Sequence, residues 1–456
     1  MRERLATLIE KLKSRRATVG AGAAMVIKAG GALLTLAVFT LAARAMTADQ
    51  FGHLAVWFNT VNFLAVAAVF GQDTLIARSF GEYEGKGDRP QAWGAYRFGW
   101  GITILAGAAV AMAMVLVAPV FFSCAARTTL LAAAFFLLTQ TLLHYSSHST
   151  RVIVGFVVSE ASRELIWRVL LLVVIIWSVL HQGLTTAEFF AAAGLGQILS
   201  LGVALLYVRR AYREHAVDGV SYGNWRVWLS RSTPMWQSAM LEAASMYFDV
   251  MLIGYVASPA AAGDYFAAAR LANVFLMVMT GLNTYTVSRS ATLYFSGQID
   301  KLQDILRSLA MVSTAMLAPL LLLIYVFGGA LLTIFGARFS SDYSTLVVLS
   351  TACFIMSTCG SASVILLTTG QEKLYSRIIG VATLLRVALT TLLAWRFGAV
   401  GAACGWALVN TPLFMLLSVI CKREVGVDPS ILSVLAPLRA KFASQAVGHS
   451  TAQPSR

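Results

Sequence analysis

Apolar stretches of 20 or more residues recur along almost the whole chain, and each is long enough to cross a hydrocarbon core of about 30 Å. Lipid offers no partner to a backbone N–H or C=O, so such a chain can span only as helices or as a closed barrel. The runs are continuously apolar, whereas barrel strands alternate over roughly ten residues, and helices are therefore expected. Twelve spans are predicted, at about 18–43, 52–77, 97–122, 129–150, 160–181, 187–208, 234–257, 264–288, 307–334, 344–368, 376–397 and 400–420. With 58% of residues hydrophobic and 12% charged, nothing is left over for a soluble domain.

A net charge of +14 would suggest nucleic acid in a soluble protein. Here the placement of the basic residues decides otherwise. With the amino terminus inside, 27 of the 35 lysines and arginines fall on the cytoplasmic side, from Arg2 and Arg4 through Arg209, Arg210 and Arg213 to Arg456. Only Arg44, Arg127, Arg338 and Arg396 fall opposite, while Lys28, Arg168, Arg270 and Arg386 lie inside spans. That bias predicts a multi-pass protein of a plasma membrane with both termini cytoplasmic, and no nucleic-acid partner. Ala43, Arg44 and Ala45 mimic a cleavage site after a signal peptide, but the preceding run is too long and contains Lys28. The five cysteines have no paired spacing, and no disulfide framework is expected.

The longest polar connection divides the chain. The expected organisation is a basic amino-terminal stretch 1–17, a six-helix half 18–208, a cytoplasmic linker 209–233, a second six-helix half 234–421 and a mostly disordered cytoplasmic tail 422–456. Halves of equal orientation imply a parallel repeat about an axis along the membrane normal. A shift of 211 residues matches Gly52, Asn62, Arg78 and Ser79 with Gly263, Asn273, Arg289 and Ser290. A shift of 218 matches Arg168, Val169, Leu171 and Trp177 with Arg386, Val387, Leu389 and Trp395. The predicted fold is all-α and integral to the membrane, with two pseudo-symmetric six-helix bundles around a central cavity.

Charged groups at the bilayer centre cost roughly 2.5–3.5 kcal/mol each, so those retained usually face a cavity or a partner. In span eight, Arg270, Asn273, Thr280 and Thr284 fall at 0, 3, 10 and 14 on one face, with Met277 at 7. In span two, Asn59, Asn62 and Asp73 repeat the 0, 3, 14 spacing. Span seven adds Glu242 and Asp249, and span one adds Lys28. These nine groups, excluding Thr280 and Met277, are the expected substrate-binding residues of the cavity. The bland alternative is that they tie helices together by hydrogen bonds. Glu160, Arg163, Glu164 and Arg168 are spaced to pair along their own helix. His144 and His148 have the i, i+4 spacing of a helical metal site, but no third ligand is near in sequence, which favours an interfacial role. Trp93, Trp100, Trp167, Trp225 and Trp228 are expected in interfacial belts. No phosphate-binding glycine loop is present and no cofactor is expected.

Three segments carry a family resemblance: LAARAMTADQFGHLAVWFNTVNFLAVAAVFGQDTLIARSF from Leu41, FDVMLIGYVASPAAAGDYFAAARLANV from Phe248, and the pair TGQEKLYSRI and RFGAVGAACGWALVN between Thr369 and Asn410. Together they resemble bacterial polysaccharide and O-antigen flippases of the multidrug, oligosaccharidyl-lipid and polysaccharide exporter superfamily. One departure is Ala45–Met46, where the family commonly has Leu-Gly after Ala-Arg. The resemblance implies movement of an isoprenoid-diphosphate-linked oligosaccharide across the inner membrane by alternating access, for lipopolysaccharide O-antigen or exopolysaccharide. It also implies membrane lipids as partners, leaves room for a polysaccharide polymerase and glycosyltransferases, and implies a carrier rather than an enzyme. Competing readings are a cation-coupled multidrug antiporter of the same superfamily, a membrane polymerase or ligase, and a non-transporting partner of a synthesis complex. The short extracytoplasmic loops disfavour the enzyme.

Overall fold

The structure is a computed structural model. It describes residues 26–121, 126–181, 183–214 and 219–434, with side chains throughout except at 118–121, 214, 282, 284, 285, 287–289 and 291. The expected basic stretch 1–17 and tail residues 435–456 lie outside the described residues.

Among the described residues the chain is helical and has no strand. The first helices are α1 (Val26–Ala45), α2 (Ala48–Val69), α3 (Gln72–Gly85), α4 (Arg89–Phe121) and α5 (Arg127–Ile153). Then follow α6 (Phe156–Ala161), a π-helical turn (Ser162–Ile166), α7 (Trp167–His181), α8 (Thr186–Glu214) and α9 (Trp225–Val256). The second part holds α10 (Pro259–Phe295), α11 (Ile299–Leu332), a 3-10 turn (Ala337–Asp342), α12 (Tyr343–Thr358), α13 (Ala362–Thr368) and α14 (Glu372–Glu424). Among the described residues, ten segments have the length and composition to cross a membrane. One of them, α14, is two crossings, because Gly398 departs from helical geometry at φ 60° and ψ −138°. The 37-residue α10 covers the predicted span eight, so each of the twelve predicted spans coincides with helix among the described residues. Gly398 opens the GAVGA segment, which is the turn that the resemblance implied between spans eleven and twelve.

Contacts divide the chain into two compact units, one ending at Met251 and the other beginning at Leu252. In the first, α5 packs on α2, α3, α4 and α8. In the second, α10 packs on α11, α12 and α13, and α14 packs on α12 and α13.

Span two is broken. Phe70 and Gly71 take left-handed φ of 52° and 69°, ending α2 and starting α3. A Cβ at Gly71 would lie 2.5 Å from the Ser232 carbonyl oxygen and 2.8 Å from the Trp236 nitrogen, so α9 approaches here only because position 71 is glycine. The Trp236 indole N–H donates to the Ala67 carbonyl at 3.0 Å, satisfying a group near the end of α2, and its ring lies 5.3 Å from that of Phe70.

Three expectations are corrected. Trp93, Trp167 and Trp228 are buried rather than set in belts; Trp93 and Trp228 belong to an aromatic cluster with Phe80, Tyr83, Tyr96 and Tyr145. Span ten is not one helix but α12 and α13, parted at Gly360, φ 70°. The start of the tail is ordered: Gln303 and Asp428 exchange side-chain and backbone hydrogen bonds of 2.8 and 2.7 Å, the Ile431 N–H donates to the Thr358 carbonyl at 2.8 Å, and Val425 and Val427 enter the core of the second unit. A valine pair and an Asp-Pro-Ser turn were enough to pin a segment whose overall composition reads as disordered.

Candidate functional site

Two polar clusters of the first unit contain residues expected to line the cavity. In one, the Gln140 amide donates to the Asn62 side-chain oxygen at 3.0 Å, Gln197 donates to Gln140, and the Thr139 hydroxyl donates to Gln197 at 2.7 Å. This relay ties α2, α5 and α8 together, and in it Asn62 also donates to the Phe58 carbonyl at 2.7 Å. Asn59 is buried and donates to the Ala55 carbonyl at 2.7 Å. In an apolar surround each such bond matters because its absence would leave a desolvated amide.

The second cluster gives Asp73 partners that the sequence did not indicate. The break at Phe70–Gly71 interrupts the register that put Asp73 on a face with Asn59 and Asn62, and turns it instead toward α5. Its Oδ1 accepts the Thr74 N–H at 2.8 Å, and its Oδ2 lies 3.3 Å from His144 Nε2. His148 stacks on His144 with ring centroids 5.0 Å apart. A carboxylate from α3 thus joins the histidine pair, and one donor atom from each of Asp73, His144 and His148 lies within 4.8 Å of the others.

Several cations of this unit gather around α6 and the π turn. Lys28 is exposed, 5.8 Å above the Phe156 ring, and the Arg151 guanidinium lies 4.7 Å from the same ring. Glu160 pairs with Arg151 rather than with a neighbour on its own helix. Glu164 does pair locally, at 2.7 Å with Arg168 and 3.7 Å with Arg163. On α9, Asp249 is buried and Glu242 exposed.

In the second unit, the α10 face predicted to be polar is the accessible one. Arg270 and Asn273 are half-buried, Met277 and Thr280 exposed, while Ala268, Ala272, Phe275 and Met279 on other faces are buried. The Arg270 guanidinium lies 4.3 Å over the Phe266 ring, a contact that orients the cation without neutralising it. The Thr284 side chain lies outside the described residues. Arg386, which the sequence left unassigned, is buried on α14, and its Nε and Nη2 make no hydrogen bond among the described residues.

The family whose description is polysaccharide biosynthesis protein matches residues 18–288, more than half of the chain. The chain belongs to that family. The fold of this polysaccharide biosynthesis protein is shared with solved transporters of low identity. One is an inward-facing multidrug resistance MATE family transporter of the MOP superfamily, at TM-score 0.70 and 13% identity, covering 87% of this chain and 94% of that one. A second is the lipid II flippase MurJ in an inward closed conformation, at TM-score 0.67 and 12% identity, with 87% of each chain covered. A third is a MOP superfamily transporter from Pyrococcus furiosus, whose report notes reversed polarity of the binding pocket, at TM-score 0.59 and 13% identity, covering 89% of this chain and 94% of that one. No curated protein matches the chain in sequence. Family and fold together make this a multi-pass membrane protein with the fold of the MOP transporters.

Proposed function

We propose that this polysaccharide biosynthesis protein is a flippase that carries an isoprenoid-diphosphate-linked oligosaccharide across the bacterial inner membrane by alternating access, for lipopolysaccharide O-antigen or exopolysaccharide. It performs no covalent chemistry. The observation that carries this reading is the α10 face: a guanidinium within a membrane span, oriented by Phe266 and partly accessible, with Asn273 and Thr280 along the same stripe. A span that keeps such a group gains nothing from it by lipid contact. A diphosphate rewards it, since a guanidinium offers two parallel donors and a charge-assisted bond is about twice as strong as a neutral one. Lys28 supplies a point charge in the first unit, and Asn59, Asn62, Asp73, Glu242, Asp249 and Thr284 complete the proposed polar set. Both termini face the cytoplasm, and polymerase and glycosyltransferases supply and consume the carried glycan.

The acidic residues of α9 favour a second reading, an antiporter of organic cations, since Glu242 is exposed and Asp249 buried within one span. A strain lacking the gene separates the two. The flippase reading expects lipid-linked oligosaccharide to accumulate on the cytoplasmic leaflet while surface polysaccharide is lost. Unchanged surface polysaccharide with raised sensitivity to cationic drugs would replace it with the antiporter.

A further inference from the structure

We propose that Asp73, His144 and His148 form a binding site for a divalent transition cation of the zinc class, tethering α3 to α5. A helix presents residues four apart on one face, which places both imidazoles together. The broken second span then delivers a carboxylate from another helix.

The geometry is that of a site with three protein ligands. Asp73 Oδ2 and His144 Nε2 are 3.3 Å apart. Two ligands of a tetrahedral zinc ion, at the usual 2.0–2.1 Å from the metal, are separated by about 3.3 Å. One ring nitrogen of His148 lies within 4.8 Å of a donor atom of each of the other two residues, so a side-chain movement of order 1.5 Å closes the third vertex.

The surroundings orient the donors as a metal site requires. His148 Nδ1 is 3.0 Å from the His144 carbonyl; a carbonyl can only accept, so Nδ1 carries the proton and the lone pair is on Nε2. Thr74 occupies Asp73 Oδ1 at 2.8 Å and leaves Oδ2 for the ion. Two neutral imidazoles and one carboxylate leave a bound divalent ion with a net charge of +1. The nearest arginine on the π turn, Arg163, is paired with Glu164 at 3.7 Å, which limits its repulsion of the ion. A fourth position stays open to water. Of the three ligands only Asp73 belongs also to the proposed polar set, and the flippase reading rests on Arg270 rather than on any of them.

The test uses the purified full chain in detergent, carried on a tag without histidine, and Zn²⁺ alone as the probe. Competition against a chromophoric chelator should report one equivalent bound to the wild type. His148→Gln and Asp73→Asn should each weaken binding by more than the 10–100-fold that loss of an outer-shell partner costs. His148→Cys, which offers a thiolate in place of imidazole, should keep it, and His181→Gln should not alter it. Zinc should also raise the thermal midpoint of the wild type and of His148→Cys but not of His148→Gln. The proposal is overturned if the wild type binds no zinc, if His148→Gln binds it as the wild type does, or if His148→Cys loses it while keeping a monodisperse profile. Any of those outcomes would leave a hydrogen-bonded acid–imidazole pair and leave the transport reading untouched.

Discussion

Arg270 and Lys28 are both cations in spans, and they sit in different settings. Arg270 lies over Phe266 on an accessible face of α10, whereas Lys28 shares the Phe156 ring with Arg151. If both hold a diphosphate, neutral substitutes of similar bulk remove charge-assisted bonds worth about 1.5–3 kcal/mol each. Arg270→Gln and Lys28→Met should then each lower surface polysaccharide export by about ten- to a hundredfold at unchanged membrane protein level, as measured in a deletion background. Lys28→Arg should restore export, because charge alone is what that position supplies. Full export by the doubly neutral variant would remove both residues from substrate binding. These two residues, with Asn273, could be picked out from polarity within apolar runs. The partners of Asn62 and Asp73 could not: Gln140 and Gln197 are 78 and 135 positions away from Asn62, and the histidines lie 71 and 75 positions beyond Asp73. Sequence spacing carries information within one helix turn pattern, and a contact between helices depends on which faces pack.

At the scale of elements, apolar length located the spans well, since each crossing must satisfy its own backbone inside lipid. What escaped it were interruptions, at Phe70–Gly71, at the π turn and at Gly360; near the first and the last a distant residue takes up a helix-end carbonyl, Trp236 that of Ala67 and Ile431 that of Thr358. The GAVGA turn was legible because its glycines mark a conformation that other residues resist. Gly71 is as demanding, yet one glycine in a long apolar run carries no such signal. Gly71→Ala forces either a strained left-handed alanine, at about 1–2 kcal/mol, or retreat of α9 from its contact with Ser232 and Trp236. It should lower the thermal midpoint of the purified protein and speed labelling of a cysteine placed at Ala67, while Gly87→Ala, at a positive φ with open space around it, should show the smaller loss. Equal losses at the two glycines would show that backbone strain alone is at work and that α9 does not press on the break.

For the whole molecule, the uneven spread of lysine and arginine fixes an expected orientation that twelve crossings make consistent. Reporter fusions at Arg209–Ser232 and at the tail should both give cytoplasmic signals, and fusions near Arg127 and Arg338 periplasmic ones. A periplasmic signal from the 209–232 connection would invert the register and, with it, the argument for two like-oriented halves. The repeat itself was visible only as scattered identities at shifts of 211 and 218 residues, because helices that face lipid or each other need volume and polarity rather than particular side chains.

The stitch between Gln303 and Asp428 joins residues 125 positions apart in the chain, and it has a meaning for biogenesis. Asp428, Ile431 and the valines that share a core with Leu302 and Leu306 all follow span twelve in the chain, so they are the last of these partners to be synthesised. Packing of the second unit therefore cannot finish before its last span has been made: a chain cut short just after Glu424 would carry every predicted span and still lack the residues that close the core around Leu302 and Leu306.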